Sequence, residues 1–167
     1  MPTYAAQTSV SAEKSKLEIE HTLQRFGADQ FIYGWESDKA VIGFRISGRQ
    51  VRFILPLPSR SAEQFVFTPV KQERRSPAGI TLAWEQGTRQ CWRALALIIK
   101  AKLEAIEAGI VTVEDEFLAQ TLLPSGESVS EWLQPQVTVA YERGDMPALL
   151  PGGRSDIKLL NNAEGKA

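Results

Sequence analysis

Side chains able to do covalent chemistry are scarce in this chain. It holds one cysteine, Cys91, and one histidine, His21. A structural zinc site takes four Cys or His ligands, so one chain does not supply it. An intramolecular disulfide is excluded. A serine or cysteine nucleophile would have to borrow His21 as its base, but His21 lies among polar neighbours in a helix-like stretch, where a surface role suffices. Cys91 falls on the apolar side of a strong helical pattern, which describes a small core residue rather than a reactive thiol. The chain carries neither a Walker A loop nor a Gly-x-Gly-x-x-Gly run. The acidic run Glu114-Asp115-Glu116 opens a predicted helix, where carboxylates complement the helix dipole. The residues therefore point away from an enzyme, and they imply no metal and no cofactor. Scattered carboxylates leave a metal-dependent activity as the enzymatic alternative.

Cations offer a different chemistry. The formal net charge is −1, but it is unevenly laid out. Residues 1–40 carry net −2 and residues 104–167 net −7, while residues 41–103 hold eleven basic groups against three acidic ones. Arginine outnumbers lysine in that middle segment, which suits bidentate contacts to phosphate or carboxylate. Eight side chains are candidate nucleic-acid contacts: Arg45, Arg49, Arg52, Arg74, Arg75, Arg89, Arg93 and Lys100. Arg89, Arg93 and Lys100 lie within about 40° of one another on a helix. The competing explanation is internal: the basic segment pairs with the acidic C-terminal part, or is masked by it. A protein partner with an acidic face is the third.

Periodicity supplies the elements that must position these groups. Ser11 is a plausible N-cap, and Ile19, Leu23 and Phe26 follow at helical spacing to Gly27, so a helix is expected over about 12–26. Three alternating runs come next. Ser37-Asp38 and Gly48-Arg49, taken as two-residue loops, make a three-stranded antiparallel meander. In that register Tyr33 faces Ile42, Phe31 faces Phe44, Phe44 faces Phe53, and Arg45 faces Arg52. One face then collects Phe31, Tyr33, Trp35, Phe44 and Phe53, which reads as core rather than as a stacking platform for bases. Gly34 and Gly43 lie on the outward face and would admit a backbone or a flat base. Residues 57–80 form a connector in which Phe65 and Phe67 suggest a short extra strand and 71–77 an exposed, mobile run. A long helix over about 81–108 places Trp84, Cys91, Trp92, Leu95, Ile98, Ile99, Leu103 and Ile106 on one broad face, with Lys102 in its middle. Thr112 caps a short acidic helix, and Ser128 or Ser130 opens a last one that Pro135 breaks or restarts and whose apolar face Val139 and Tyr141 complete.

The expected fold class is α+β: helix, three-stranded antiparallel β-meander, long covering helix, then short C-terminal helices. Residues 1–150 are expected to form one domain and 151–167 a disordered tail. The length of 167 residues and the 43% apolar content suit a globular chain that needs no staple. No apolar run reaches the length of a membrane span, and the N-terminus lacks the pattern of a secretory signal. A cytoplasmic location and no membrane partner are expected.

Tyr4-Ala5-Ala6-Gln7-Thr8, Trp84-Glu85-Gln86 and the run from Trp92 to Lys102 resemble an uncharacterised family of small proteins borne by phages, prophages and other mobile elements. The resemblance spans most of residues 1–150 and carries no catalytic residues. It implies work in recombination, replication or interference with host machinery. The element order alone is similar to double-stranded RNA-binding domains and to strand-annealing domains of recombination proteins. The leading expectation is non-catalytic binding of nucleic acid, single-stranded DNA favoured. The alternative is a protein-interaction module that inhibits or recruits a host protein through its charged surfaces. Strand edges at Phe31–Glu36 and Val51–Leu55 could pair between copies, which makes a homo-oligomer a further expectation.

Overall fold

A computed structural model describes residues 8–36 and 38–144. The elements are α1 (Ala12–Arg25), β1 (Gln30–Trp35), β2 (Lys39–Ile46), β3 (Arg49–Pro56), the single-turn α2 (Glu63–Val66), α3 (Pro77–Glu107), α4 (Val113–Phe117) with a 3-10 turn at Leu118–Gln120, and α5 (Val129–Arg143). This is the expected α+β order. The 151–167 tail, Tyr4 to Gln7 and Ser37 lie outside the described residues.

Local chemistry sets the helix starts. The Ser11 hydroxyl accepts the Lys14 N–H and Thr112 accepts that of Asp115. At α5, Ser128 and Glu131 form a reciprocal capping box. The long helix begins earlier than its apolar period suggests. Ser76 accepts the Gly79 N–H at 3.1 Å and Pro77 takes the first helical position, where its missing N–H costs nothing. Pro135 does not break α5, which runs through it. Phe65 belongs to α2 rather than to an extra strand.

The sheet order is β1-β2-β3, antiparallel throughout. The first hairpin has the expected register, Tyr33 opposite Ile42 and Phe31 opposite Phe44. The second is shifted by two residues: Ile46 faces Arg49, Phe44 faces Val51, and Ile42 faces Phe53. The reason lies in the backbone of the middle strand. Glu36 donates to the Lys39 carbonyl and Leu57 to that of Asp38. Odd residues of β2 therefore bond β1 and even residues bond β3, because each residue turns its N–H and C=O to one side only. A Gly48-Arg49 loop would have required odd residues to bond both neighbours. The loop is instead Ser47-Gly48, both with positive φ (49° and 73°), as the twist-matched two-residue turn demands. A shift of two keeps every side chain on its face. It does separate Arg45, now opposite Gln50, from Arg52, now opposite Gly43.

The core lies between the sheet and the pair α1 and α3. Ala40, Ile42, Phe44, Ile46 and Val51 meet Ile19 and Leu23 of α1 and Trp92, Leu95, Ala96, Ile99 and Leu103 of α3. Phe117 of α4 closes one end, edge-on to Phe44 and Phe53 at centroid distances of 5.5 and 6.3 Å. Lys102, in the middle of the apolar face of α3, donates to the Glu116 carboxylate and backbone carbonyl, which ties α4 to α3. The helix layer does not extend over all of β1. Phe31 is half-buried, but Tyr33 and Trp35 are exposed. The expectation of five core aromatics is thus corrected at these two. A groove of about 250 Å³ runs between α1 and β1, lined by Leu17, Ile19, Phe31, Tyr33, Ile42 and Trp92.

Candidate interaction surface

The eight candidate cations fall into three groups. Five guanidiniums have partners inside the chain. Arg45 forms a two-pronged pair with Asp29 at 2.8 and 2.7 Å. Arg52 donates to Glu131 at 2.6 Å and to the Gly126 carbonyl at 3.1 Å. Arg93 reaches Glu18 of α1 at 2.5 Å, and Arg89 bonds Gln86 one turn earlier on α3. Arg75 donates from Nη1 to the carbonyls of Gln64, Phe65 and Phe67. Arg49 is exposed at the tip of the second hairpin and Arg74 on the connector. Lys100 is exposed on α3. The helical stripe Arg89, Arg93 and Lys100 exists as spacing, but its first two members are turned to partners within the fold.

Of the five, Arg52 alone meets the acidic C-terminal helix. Asp29 and Glu18 come from the N-terminal part, so the pairing partly follows, and partly crosses, the segment-wise charge layout. The pairs perturb their carboxylates. The hydrogen bond from Arg45 holds the Asp29 carboxyl below its usual range. Glu131 is also held low, first by the Ser128 backbone N–H, then by the Ser128 hydroxyl, with Arg52 adding to it. Burial pushes the Cys91 thiol up, the opposite of what a nucleophile needs. Among the described residues, no group of three or more His, Cys, Asp or Glu is placed to hold a metal.

The outward sheet face is the feature that sequence reasoning missed. Its rows are Gln30–Arg45–Gln50, Ile32–Gly43–Arg52 and Gly34–Val41–Ile54. Ile32 is 70% and Ile54 50% exposed, and Val41 between them is half-buried. Lys39, Arg45 and Arg52 flank this apolar centre on the same face. Ile32 lies across Gly43: a Cβ there would sit 2.8 Å from its Cγ1. Gly43 is therefore roofed and does not admit a base, whereas Gly34 is open. The signal was present in the sequence. Ile32, Val41 and Ile54 occupy the phase that a one-sided sheet reserves for polar residues.

Among the described residues no helix is long and apolar enough to cross a membrane. Comparison with known proteins gives no matching family model, no matching curated protein and no matching solved structure.

Proposed function

We propose that this protein is a non-catalytic interaction module whose open sheet face docks a protein partner with an apolar contact surface and an acidic rim. One observation carries the reading: exposed Ile32 and Ile54 flank half-buried Val41, with Arg45, Arg52 and the Glu36-paired Lys39 beside them. Apolar area surrounded by arginine is the composition of binding hot spots, and contiguous exposed apolar surface on a sheet marks a contact site. Asp29 and Glu131 already show how carboxylates satisfy the two guanidiniums. A partner's acidic residues would replace them with the same geometry.

The test is selection of binders from a library of short peptides displayed against the full chain. Enriched sequences should combine apolar residues with Asp or Glu. Ile54→Lys and Arg45→Glu should each weaken them at least about tenfold, the worth of about 1.4 kcal/mol. Arg74→Ala and Lys100→Ala should leave them unchanged. Binders indifferent to both face substitutions would overturn the reading.

Nucleic-acid binding is the second reading, favoured by the exposure of Arg49, Arg74 and Lys100. It would use phosphates where the first uses carboxylates, with single-stranded DNA as the leading ligand. Steep loss of affinity with salt is its signature.

A further inference from the structure

The two edges of the sheet are finished differently. The β3 edge is partly closed: Thr121 bridges Val51, and Leu122 donates to the Gln50 carbonyl at 2.7 Å. That edge also carries Arg52 and ends in Pro56, two devices that discourage strand addition. The β1 edge carries neither. Its sequence, Gln-Phe-Ile-Tyr-Gly-Trp, has no charge and no proline, and Ile32 and Trp35 are each 70% exposed. Among the described residues no strand pairs with it.

The ladder fixes which groups that edge offers. Pairing to β2 uses the backbone of the even residues, from Gln30 through Glu36. The N–H and C=O groups of Phe31, Tyr33 and Trp35 therefore point outward. Backbone groups spaced this way are matched by another extended strand and by little else.

We propose that the occupant is β1 of a second copy, paired antiparallel about a two-fold axis at Tyr33. Self-pairing allows hydrogen-bonded pairs only between odd residues. The two-fold register that uses the whole strand sets Tyr33 opposite Tyr33 of the second copy. Phe31 then lies opposite Trp35, an aromatic cross-strand pair of the kind that stabilises sheets. Ile32 lies opposite Gly34, beside which a Cβ would meet nothing within 4 Å. The position opposite Ile32 is thus free of any side chain, and Ile32, which leans over Gly43 of its own sheet, meets no obstacle there. The sequence is complementary to itself in this one register. The seam shares Ile32 and Gly34 with the margin of the docking face, whose Val41 and Ile54 lie farther from the edge, and an axis normal to the sheet puts both faces on one side of a six-stranded sheet. A dimer would present two docking faces together.

The experiment is the solution mass of the full chain by light scattering, with two variants. The wild type should have twice the chain mass of 18.5 kDa. Tyr33→Pro removes an outward donor, together with the ring that packs edge-on to Trp92 and the hydroxyl that accepts from Lys16, and leaves the β1–β2 bonds, which use residues 32 and 34, so it should be monomeric with its helix and strand content retained in the far-ultraviolet circular dichroism spectrum. Tyr33→Cys, made with Cys91→Ser, should cross-link quantitatively under mild oxidation. Hydrogen-bonded pairs have Cα atoms about 5.5 Å apart, within disulfide range. Gln50→Cys in the same background, on the other edge, should not cross-link. A wild type that is monomeric at its highest soluble concentration overturns the proposal. So does a dimer in which the thiol introduced at position 33 stays unlinked. If Tyr33→Pro fails to fold, the wild-type mass and the cross-link decide alone.

Discussion

Arg75 separates two accounts of the basic segment sharply. Its position in a charged run suggests a phosphate contact, but its guanidinium is turned inward. Nη1 donates to the carbonyls of Gln64 at 3.0 Å, Phe65 at 3.1 Å and Phe67 at 2.7 Å. These lie in and just past α2, whose last carbonyls have few helical acceptor bonds to make. The backbone N–H of Arg75 also donates to Val66 at 2.8 Å. The guanidinium is thus a staple holding the connector against Phe65, which is buried under α3 at Gly87. A hydrogen bond to a charged group contributes about 1.5–3 kcal/mol. Three acceptors share one nitrogen and Arg75 is half-buried, so Arg75→Met should cost about 2 kcal/mol rather than the sum. For a chain of this size that lowers Tm by roughly 4–8 °C. Thermal and urea unfolding followed by circular dichroism would measure it, with binding to single-stranded DNA measured beside it. Stability should fall and binding should not change. An unchanged Tm with weakened binding would mean that the guanidinium faces solvent, and the staple would be refuted.

Three further outcomes follow from the packing and the ion pairs. Phe117→Ala should cost about 3–5 kcal/mol in urea unfolding, because a fully buried ring packed edge-on against the stacked pair Phe44 and Phe53 is removed; a loss under about 1 kcal/mol would contradict its place in the core. Gly87→Ala puts a Cβ 2.7 Å from the Phe65 ring and should destabilise by about 1–3 kcal/mol through overpacking, whereas an unchanged Tm would show that Phe65 moves aside freely. Asp29 and Glu131 have folded-state acidities shifted below the usual carboxylate range. Their contribution is complete above the unfolded-state value and is lost as pH falls through the lowered folded one. Protection against hydrogen exchange at the start of α5, relative to the intrinsic rate at each pH, should therefore persist until strongly acid pH. Glu131→Ala, which leaves no side chain to accept the Ser128 N–H, should lower that protection already at neutral pH, and equal protection in both proteins would count against the cap.

Much of the architecture was legible because it is local. Ser11, Thr112 and Ser128 announce helix starts through their own side chains. The alternation of Ala40, Ile42, Phe44 and Ile46 announces a half-buried strand. The second hairpin was misread by two residues for a reason that is also local but easily missed. A middle strand shares its backbone between two neighbours, so the loops on either side are not independent, and fixing the first at 37–38 forces the second to 47–48. The start of α3 was obscured in another way. Ser76-Pro77 is a good helix opening, but it follows Lys71 through Arg75, whose charge suggested a solvated loop.

The site was less legible than the fold. Counting charges by segment finds the arginines but not their partners. Arg93 meets Glu18 across the α1–α3 contact, and Arg45 meets Asp29 at the entrance to β1. Both pairings depend on how the elements pack. The exposure of Tyr33 and Trp35 is likewise tertiary, since their alternation is the same as that of buried Phe44. Ile32, Val41 and Ile54 could have been found in advance as apolar residues on the polar phase of three neighbouring strands.

The most direct measurement is a competition experiment on the full chain across a salt series. An acidic, apolar peptide selected on the protein is held in complex, and single-stranded DNA is added. Binding centred on Ile32, Val41 and Ile54 with an acidic rim predicts that the peptide's affinity falls only modestly between about 50 and 200 mM salt, far less than the roughly thousandfold or greater loss of a multi-phosphate contact, is lost in Ile54→Lys, and is not displaced by DNA. Displacement by DNA, with affinity for DNA falling steeply over that range and insensitive to Ile54→Lys, would contradict it and return the surface to phosphate.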